Sequence, residues 1–480
     1  MPELPITNGF YSSPSLPLSA QECLNWYPNT SEAPALSPKN LFGTPGLVEL
    51  SESVGIKNPC RGMHEMAGIA YAVSGTKLYK LVEVIVGGVI GYDAQEIGTI
   101  TGSARVSIAD NGTQLLVLVP GGNGFVYNHV TDIFVQITDA DFYASGNPQF
   151  VVFIDSYFVF TTDTKKFICS APNDGLSYNA LDFGTAESDP DITVAPIVFK
   201  NQLFISGSQT IEAFQNIGGT DFPFQRTGLF IQKGVYSPYS LISAQDTFVW
   251  IGGGENEGPA IWALAGNDSA KISTTPIDNL LQKLTLSQLQ NIYSWAYAQN
   301  GAYFIGFSLP STTLVFDTAT KKWHERRSFV DGELTKSRVS AICKAYNQII
   351  CGDSEDGRIG KIDPLVFTEY GAQIIRRVAT QPFQNNLKSI FVPSLELTVE
   401  SGVGNDAVEN PVITMERSRD GKTWSDPISR SIGKVGEFNR RAIWRRCGRV
   451  SRFELFRFTL TDAVKPVILQ LNAEIVGGIK

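Results

Sequence analysis

Residues 105–138 read RVSIADNGTQLLVLVPGGNGFVYNHVTDIFVQIT, a run of four short segments rich in apolar and β-branched residues. Turn residues separate these segments: Asn111-Gly112 follows the first, and a glycine-rich loop precedes the third. Asn-Gly supplies the positive φ angles that a two-residue hairpin requires. We therefore predict that the stretch folds as four antiparallel strands.

The same four-strand unit recurs seven times between Arg61 and Val378. Its second strand is the most apolar, and the seven copies of that strand begin at Ile69, Gln114, Ser156, Asn201, Thr247, Gly301 and Asn347. Successive starts are 45, 42, 45, 46, 54 and 46 residues apart, and the runs lack a 3.6-residue apolar period. A strand repeat of this length is typical of a β-propeller, with the more polar fourth strand, such as Tyr370 to Val378, at the outer edge of each blade.

One spacing is longer than the others, and the extra residues lie between Thr275 and Asn291. Leucines, including Leu280 and Leu284, recur there at near-helical spacing behind Thr275-Pro276, which is a good helix start. We predict a single helix inserted between two blades. Insertions of this kind lie on one face of a propeller, so Leu280 and Leu284 are candidate partner contacts.

The two ends of the chain lack the blade rhythm. Residues 1–60 are rich in Tyr, Trp, Pro, Asn and Ser without a period, and we interpret them as an extended arm in which Trp26 and Tyr27 are candidate contacts. Either the segment from Leu47 to Ser51 pairs with the last blade, or the arm packs against the C-terminal domain or a neighbouring subunit. Residues 381–480 show alternating strands that predict a small β-sandwich, which leaves residues 61–380 for the propeller.

The predicted fold is therefore all-β: a seven-bladed propeller with four-stranded blades and one inserted helix, a C-terminal β-sandwich and an extended N-terminal arm. The 480 residues are 43% hydrophobic and include 44 Gly and 25 Pro, a turn density that such a fold needs. The N-terminal sequence lacks a signal-peptide pattern, and the longest apolar run is too short to span a bilayer. Six scattered cysteines predict buried thiols made in a reducing compartment.

The charge is uneven along the chain. Residues 1–379 contain 24 Lys plus Arg against 36 Asp plus Glu, whereas residues 380–480 contain 15 against 11. Arginines concentrate around one tryptophan: Arg440, Arg441, Trp444, Arg445, Arg446, Arg449, Arg452 and Arg457. Guanidinium groups and a Trp suit an acidic protein or a nucleic acid, and the acidic chain favours the protein. The alternative is a solvated strand face with ion pairs to Glu437 and Glu454.

No catalytic, cofactor-binding or metal site is predicted. His64, His129 and His324 lie in three different blades without a second ligand at zinc spacing. The stretch from Ser418 to Trp424 resembles an Asp-box hairpin, but a type I′ Asp-Gly turn with a packed Trp explains it more simply. The glycine runs at 121–124 and 252–254 carry no following Lys-Ser/Thr, and the carboxylate pairs at 189 and 191 and at 255 and 257 fit solvated loops.

Several short motifs, in order along the chain, carry a family resemblance. They are Thr44-Pro45-Gly46, Gly75-Thr76-Lys77-Leu78-Tyr79-Lys80, Arg105-Val106-Ser107, Gln232-Lys233-Gly234, Leu314-Val315-Phe316-Asp317 with Trp323, Ile350-Cys351-Gly352-Asp353, and Trp444-Arg445-Arg446 with Gly448-Arg449. By these motifs the chain resembles the packaged-DNA stabilisation proteins, or tail hub proteins, of short-tailed bacteriophages.

The resemblance implies a structural virion protein without enzymatic activity or cofactor. It implies a homohexameric hub in the virion tail, assembled in the host cytoplasm, that joins the neck after packaging. Its partners would be the portal adaptor, the tailspikes or fibres and the needle or plug, and DNA would pass through without sequence-specific binding. Two other hypotheses stay open: a propeller that binds or depolymerises glycans, and a general protein-interaction propeller of a cellular host.

Overall fold

The computed structural model describes residues 3–52, 58–186, 191–219, 222–386 and 388–477. The chain divides into two compact units. The first consists of Met1–Val48, Ala298–Ser337 and Ile362–Lys480, and the second consists of Glu49–Tyr297 and Arg338–Lys361. The domain limits predicted at residues 60 and 380 stay predictions.

The strands before and within the first five repeats follow one another in chain order. The arm contains β1 (Glu3–Leu4), β2 (Tyr11–Ser12), β3 (Ala20–Gln21), β4 (Cys23–Leu24), β5 (Trp26–Thr30), β6 (Lys39–Gly43) and β7 (Gly46–Glu52). Blade 1 contains β8 (Cys60–Met66), β9 (Ile69–Ser74), β10 (Lys77–Val86) and β11 (Val89–Thr99). Blade 2 contains β12 (Ser107–Asp110), β13 (Gln114–Leu118), β14 (Gly124–Asn128) and β15 (Ile133–Gln136). Blade 3 contains β16 (Pro148–Ile154), β17 (Tyr157–Thr162), β18 (Lys166–Ala171) and β19 (Asp174–Thr185). Blade 4 contains β20 (Thr193–Phe199), β21 (Gln202–Gly207), β22 (Ile211–Asn216) and β23 (Phe224–Ile231). Blade 5 contains β24 (Gly234–Val235), β25 (Ile242–Ala244), β26 (Thr247–Gly253), β27 (Ala260–Ala265) and β28 (Asp268–Lys271).

The remaining strands belong to the last two repeats and the C-terminal domain. The sixth repeat contains β29 (Tyr293–Gln299), β30 (Ala302–Ser308), β31 (Thr313–Asp317), β32 (Lys322–Val330) and β33 (Glu333–Lys336). Blade 7 contains β34 (Val339–Ala345), β35 (Gln348–Asp353) and β36 (Arg358–Asp363). The later strands are β37 (Thr368–Glu369), β38 (Ala372–Gln373), β39 (Arg376–Ala379), β40 (Ile390–Val399), β41 (Val412–Ser418), β42 (Ile428–Ser431), β43 (Ala442–Val450), β44 (Leu455–Leu460) and β45 (Val467–Gly477).

Apolar cores between consecutive sheets hold the second unit together. Pairs of buried side chains that represent these cores are Ile350 and Tyr79 (blades 7 and 1), Tyr71 and Val117 (blades 1 and 2), Leu116 and Phe158 (blades 2 and 3), Phe167 and Leu203 (blades 3 and 4), and Phe204 and Trp250 (blades 4 and 5). The sheets of blades 1 to 4 thus each bury both faces against their neighbours, which is the packing of propeller blades. The predicted all-β propeller fold is confirmed.

The outer strand of blade 7 comes from the N-terminal arm. The sheet order is β34-β35-β36-β7, and Leu50 packs into the core shared by blades 7 and 1. The predicted pairing of Leu47 to Ser51 with the last blade is confirmed. The prediction that Tyr370 to Val378 forms this outer strand is wrong, because β39 pairs instead with β4 and β44 of the first unit.

The turns between first and second strands follow one geometry in blades 1, 3, 4 and 7. Both central residues have positive φ, as at Asp155 (48°) and Ser156 (76°), which is the type I′ hairpin that matches strand twist. The predicted two-residue turn at Asn111-Gly112 is wrong, because only Gly112 has positive φ there. The Asn111 Oδ1 accepts hydrogen bonds from the backbone N–H groups of Thr113 and Gln114 and closes a longer loop.

The insert before the sixth repeat is helical, with one interruption. Helix α1 spans Thr275–Gln282 and helix α2 spans Leu286–Gln290. Between them Thr285 starts α2 with a capping box, in which its side chain and that of Gln288 satisfy each other's backbone N–H groups. Where one helix was predicted, this cap makes two short ones. Within the described residues, no helix is long and apolar enough to span a bilayer.

The first unit is a two-sheet sandwich to which the arm contributes strands. One sheet has the order β43-β40-β45-β6-β5, with β1 also on β45. The other runs β30-β31-β32-β4-β39-β44-β41-β42, so β4 joins the outer strand of the sixth repeat to the C-terminal domain. The arm therefore packs against the C-terminal domain as well as pairing with the last blade, and its contact with a neighbouring subunit stays a prediction.

Candidate partner-binding surfaces

The aromatic candidates lie inside the first unit. Trp26 and Tyr27 on β5 are buried, and Trp444 on β43 is buried against Phe458 with ring centroids 5.4 Å apart. The Trp444 indole N–H donates to the Ile428 carbonyl at 2.7 Å. These side chains hold the sandwich together, and their predicted role as partner contacts stays a prediction.

The arginine candidates are divided between paired and exposed side chains. Arg441 bonds Glu396 (Nε to Oε1, 2.6 Å) and Arg457 bonds Glu416 (Nη2 to Oε1, 2.7 Å), so the ion-pair partners differ from the predicted Glu437 and Glu454. Glu454 is approached instead by Arg417 at 3.8 Å. The other arginines of the cluster are exposed, and within the described residues none of them forms an ion pair: Arg440, Arg445, Arg446, Arg449 and Arg452. We call these five the arginine edge.

A β-bulge explains why Arg445 and Arg446 are both exposed. Neighbouring residues of a regular strand point to opposite faces. Here Val392 pairs with Gly448 and Ser394 pairs with Arg445, so Pro393 of β40 faces two residues of β43. Proline has no N–H to donate, and Arg446 adopts a left-handed φ of 59°. The bulge turns both guanidinium groups towards solvent.

The arginine edge lies on or beside an outermost strand. β43 ends its sheet, with β40 as its neighbour in the sheet order. Charged side chains and bulges on such strands discourage edge-to-edge pairing, which is the ordinary explanation for them. A binding role requires in addition a complementary surface on a partner.

The helical insert borders an apolar cleft in the second unit. The cleft has a volume of about 490 Å³ and is lined by apolar residues of blades 3 to 5 and helix α2, including Phe150, Ile192, Val194, Val235, Pro238 and Leu286. Leu280 and Leu284 are half-buried, whereas Leu286 is 66% exposed. The most exposed of these three leucines is therefore Leu286, which was not among the predicted contacts.

A second cavity, of about 630 Å³, is lined by the first strands of several blades of the second unit. Arg105 donates to the Ser340 side chain and carbonyl (2.8 and 3.0 Å) and stacks on Tyr293 with its guanidinium carbon 4.0 Å from the ring centre. Among the described lining residues the single carboxylate is Asp110, and it pairs with His64 at 2.6 Å. The sequence-based interpretation of the histidines as isolated missed the pair of His64 and Asp110, because these residues are 46 positions apart in the chain.

The other motifs have structural explanations. His324 is fully buried, and burial lowers its pKa well below the usual value. Glu257 pairs with Lys233 at 2.6 Å, Asp191 accepts from the Gln209 N–H, and Asp189 lies outside the described residues. In the part of the chain that the structure describes, no group of three or more His, Cys, Asp or Glu could hold a metal ion.

The Asp-box-like stretch forms a side-chain-capped loop. The Asp420 carboxylate accepts from the backbone N–H groups of Lys422 and Thr423, both at 2.8 Å, and these bonds hold its pKa well below the usual range. Gly421 has positive φ (76°) and Asp420 does not, so the predicted type I′ turn is wrong. Trp424 stacks under the Arg457 guanidinium at 4.0 Å.

Comparisons with known proteins cover nearly the whole chain. Residues 2–366 match a family model described as the β-propeller of bacteriophage P22 Gp10, and residues 375–476 match one described as its β-sandwich. The tail hub protein gp10 of Salmonella phage P22 is 22% identical over 438 residues, which are 88% of this chain and 91% of that protein. Two solved structures align at 12% identity over 66% of this chain: the computationally designed Ika8 protein (99% of its chain, TM-score 0.36) and the WD40 β-propeller domain of Doa1 (97%, TM-score 0.40). The chain belongs to the bacteriophage P22 Gp10 family, with both the β-propeller and the β-sandwich of that family.

Proposed function

We propose that this chain is a structural, non-enzymatic tail hub protein of a short-tailed bacteriophage. The observation that carries the proposal is the match of both family domains, together with a relative named as a tail hub protein that aligns over 91% of its own length. Fold alone would not support this function, because propellers serve many.

In the finer form of the proposal, six copies form a ring below the portal adaptor in the virion tail. The ring anchors tailspikes or fibres and a needle or plug, and assembly takes place in the host cytoplasm. The net charge of −8 supports a passive role towards DNA, because an acidic surface binds a polyanion weakly and lets it slide. Retention of the genome then depends on mechanical closure by the plug.

The glycan-processing alternative has less support. Glycoside hydrolysis ordinarily uses two carboxyl groups that flank the scissile bond. The described lining of the cavity between the first strands includes one carboxylate, Asp110, which is already paired with His64.

A DNA-retention experiment tests the proposed function. Phage particles assembled without this chain are expected to leak DNA, so that nuclease degrades most of the packaged genome. Purified chain added to freshly packaged heads is expected to restore protection, and bovine serum albumin at the same concentration serves as the control. Particles that lack the chain and still protect their DNA and infect normally would contradict the proposal.

A further inference from the structure

Blades 2 and 3, together with the connection to blade 4 and its first strand, contain a strong excess of negative charge. Residues 106–199 include 11 Asp plus Glu and only two basic residues, Lys165 and Lys166, for a net charge of −9. The whole chain has a net charge of −8, so this sector accounts for the acidity of the molecule. Lys166 lies over the ring of Phe183, with its Nζ 3.7 Å from the ring centre.

One carboxylate of this sector lies at the apolar cleft. Asp163 is exposed and is the one charged residue that lines the cleft. It accepts hydrogen bonds from the Asn147 N–H (2.8 Å) and side-chain amide (2.7 Å), which fix the carboxylate at the cleft. Among the described residues, no salt bridge involves Asp139, Asp141 or Asp163. Asp163 therefore places a negative charge, which has no basic partner among the described residues, beside the apolar residues that line the cleft.

The chemistry of this cleft fits a basic and apolar occupant. Ile192 is 56% exposed and Leu286 is 66% exposed, and both lie at the opening. A guanidinium side chain presents an apolar stem to such a surface and keeps its charged end at a carboxylate. We call this surface, defined by Asp163, Ile192 and Leu286, the acidic cleft.

The arginine edge of the same chain has the complementary chemistry. On β40, Phe391 pairs with Arg449 on one side and with Val476 on the other. Phe391 is 45% exposed and Val476 is 50% exposed, so an apolar strip adjoins the arginines. Exposed apolar residues grouped with charges mark protein contacts more often than isolated ones do.

We propose that the arginine edge of one copy docks on the acidic cleft of a second copy. The inference rests on the proposed function, because a ring needs one contact that repeats. The two surfaces differ, so the contact is heterologous, and heterologous contacts close into rings when the rotation between copies allows it. The occupant is a second copy because each chain carries both surfaces: the edge has positive charge beside exposed apolar residues, and the cleft has negative charge beside exposed apolar residues. Salt screens such a contact, so association weakens as ionic strength rises.

Charge reversal on the arginine edge and the introduction of positive charge in the acidic cleft test the contact. Native mass spectrometry and sedimentation velocity compare the wild-type chain with an edge variant (Arg445→Glu and Arg446→Glu) and a cleft variant (Ile192→Lys and Leu286→Lys). Each variant is expected to self-associate at least about tenfold more weakly, because like charges then face each other. The matched control for the edge variant is Arg419→Glu with Lys422→Glu, which makes the same charge change on exposed side chains outside the edge, and it should assemble like the wild type.

Mixing the two variants gives the sharper result. The edge variant keeps an intact cleft and the cleft variant keeps an intact edge, so a mixture can form one wild-type contact per pair. The second contact of the mixture places the Glu side chains of the edge variant against the Lys side chains of the cleft variant, and these charges are again opposite. We therefore expect the mixture to associate more strongly than either variant alone, and a mixture that associates no better than the separate variants would contradict the contact. All variants should keep the wild-type circular dichroism spectrum and melting temperature, since the changed side chains are exposed.

The outcomes separate this inference from the proposed function. Wild-type rings together with unimpaired edge and cleft variants would overturn the docking contact and leave the hub function standing. An edge variant that assembles normally but loses binding to DNA or to another acidic protein would also overturn it. A wild-type chain that never self-associates, alone or with a portal adaptor, would overturn both.

Discussion

At the scale of single residues, Glu325 shows how the arm and the sixth repeat share a charge. Glu325 on β32 pairs in register with Leu24 of β4, and its Oε1 accepts from the Thr312 hydroxyl at 3.1 Å. Burial, followed by repulsion from Glu22, raises the pKa of Glu325 to about 7. The folded protein therefore holds a proton that the unfolded chain releases near pH 4.5.

This pKa predicts a pH-dependent stability. Between about pH 4.5 and 7 the folded state binds more protons than the unfolded state, so the free energy of unfolding falls as pH rises through that window. Glu325→Gln should remove that fall and gain on the order of 1 to 2 kcal/mol relative to the wild type between pH 5 and pH 8. Urea unfolding at both pH values measures the difference, with the exposed Glu333→Gln as control. Parallel pH profiles for wild type and Glu325→Gln would contradict the prediction.

Arg61 carries a different kind of residue-scale prediction. Its buried guanidinium donates to the carbonyls of Ala104 (2.6 Å), Gly75 (2.9 Å), Ile100 (3.1 Å) and Thr101 (3.0 Å) and so ties blade 1 to its connection with blade 2. Arg61→Met leaves these carbonyls without their donor and should cost about 3 kcal/mol of stability. The stability of Arg61→Lys should lie between that of the wild type and that of Arg61→Met, and thermal melting measures both variants. A melting temperature unchanged in Arg61→Met would show that water replaces the side chain at no cost.

At the scale of elements, the strand period could be predicted from the sequence and several pairings could not. The second strand of blade 1 was predicted at Ile69 to Ser74 and is found there. A short, dense apolar run between two turns predicts a buried strand directly. The pairing of β7 with the last blade was one of the predicted alternatives, whereas the role of β4 was hidden because that strand is only two residues long. The place of β39 was also missed, because its partners β4 and β44 are distant in the sequence. The arginine edge was visible as composition, whereas the bulge at Pro393 that exposes it depends on register.

The type I′ turns yield an element-scale prediction. Asp155 and Ser156 both hold positive φ, a conformation that costs L-residues about 1 kcal/mol and glycine almost nothing. Asp155→Asn with Ser156→Gly should therefore raise the free energy of unfolding by about 1 kcal/mol. As the opposite control, Gly112→Ala at φ 82° should lower it by a similar amount, since its added Cβ meets no atom within 4 Å and only strain remains. Equal stability of the Asn-Gly variant and the wild type would refute the argument from φ.

At the scale of the whole molecule, buried apolar cores and exposed charged side chains have different roles. The cores between sheets explain why the blades hold together, whereas the side chains of Asp163 and of the arginine edge are exposed. The sequence indicated the acidic body and the basic C-terminal region. It could not show that an apolar cleft lies beside the carboxylates, because that cleft combines residues 149–290 from three blades and a helix.

The most direct test of the central claim is native mass spectrometry of the purified wild-type chain, alone and mixed with a candidate portal adaptor. The hub proposal predicts a closed species with six times the 52.4 kDa mass of one chain, seen in negative-stain images as a ring. Its population should shrink as ionic strength rises. A chain that stays monomeric at every concentration and with every candidate adaptor would contradict the claim.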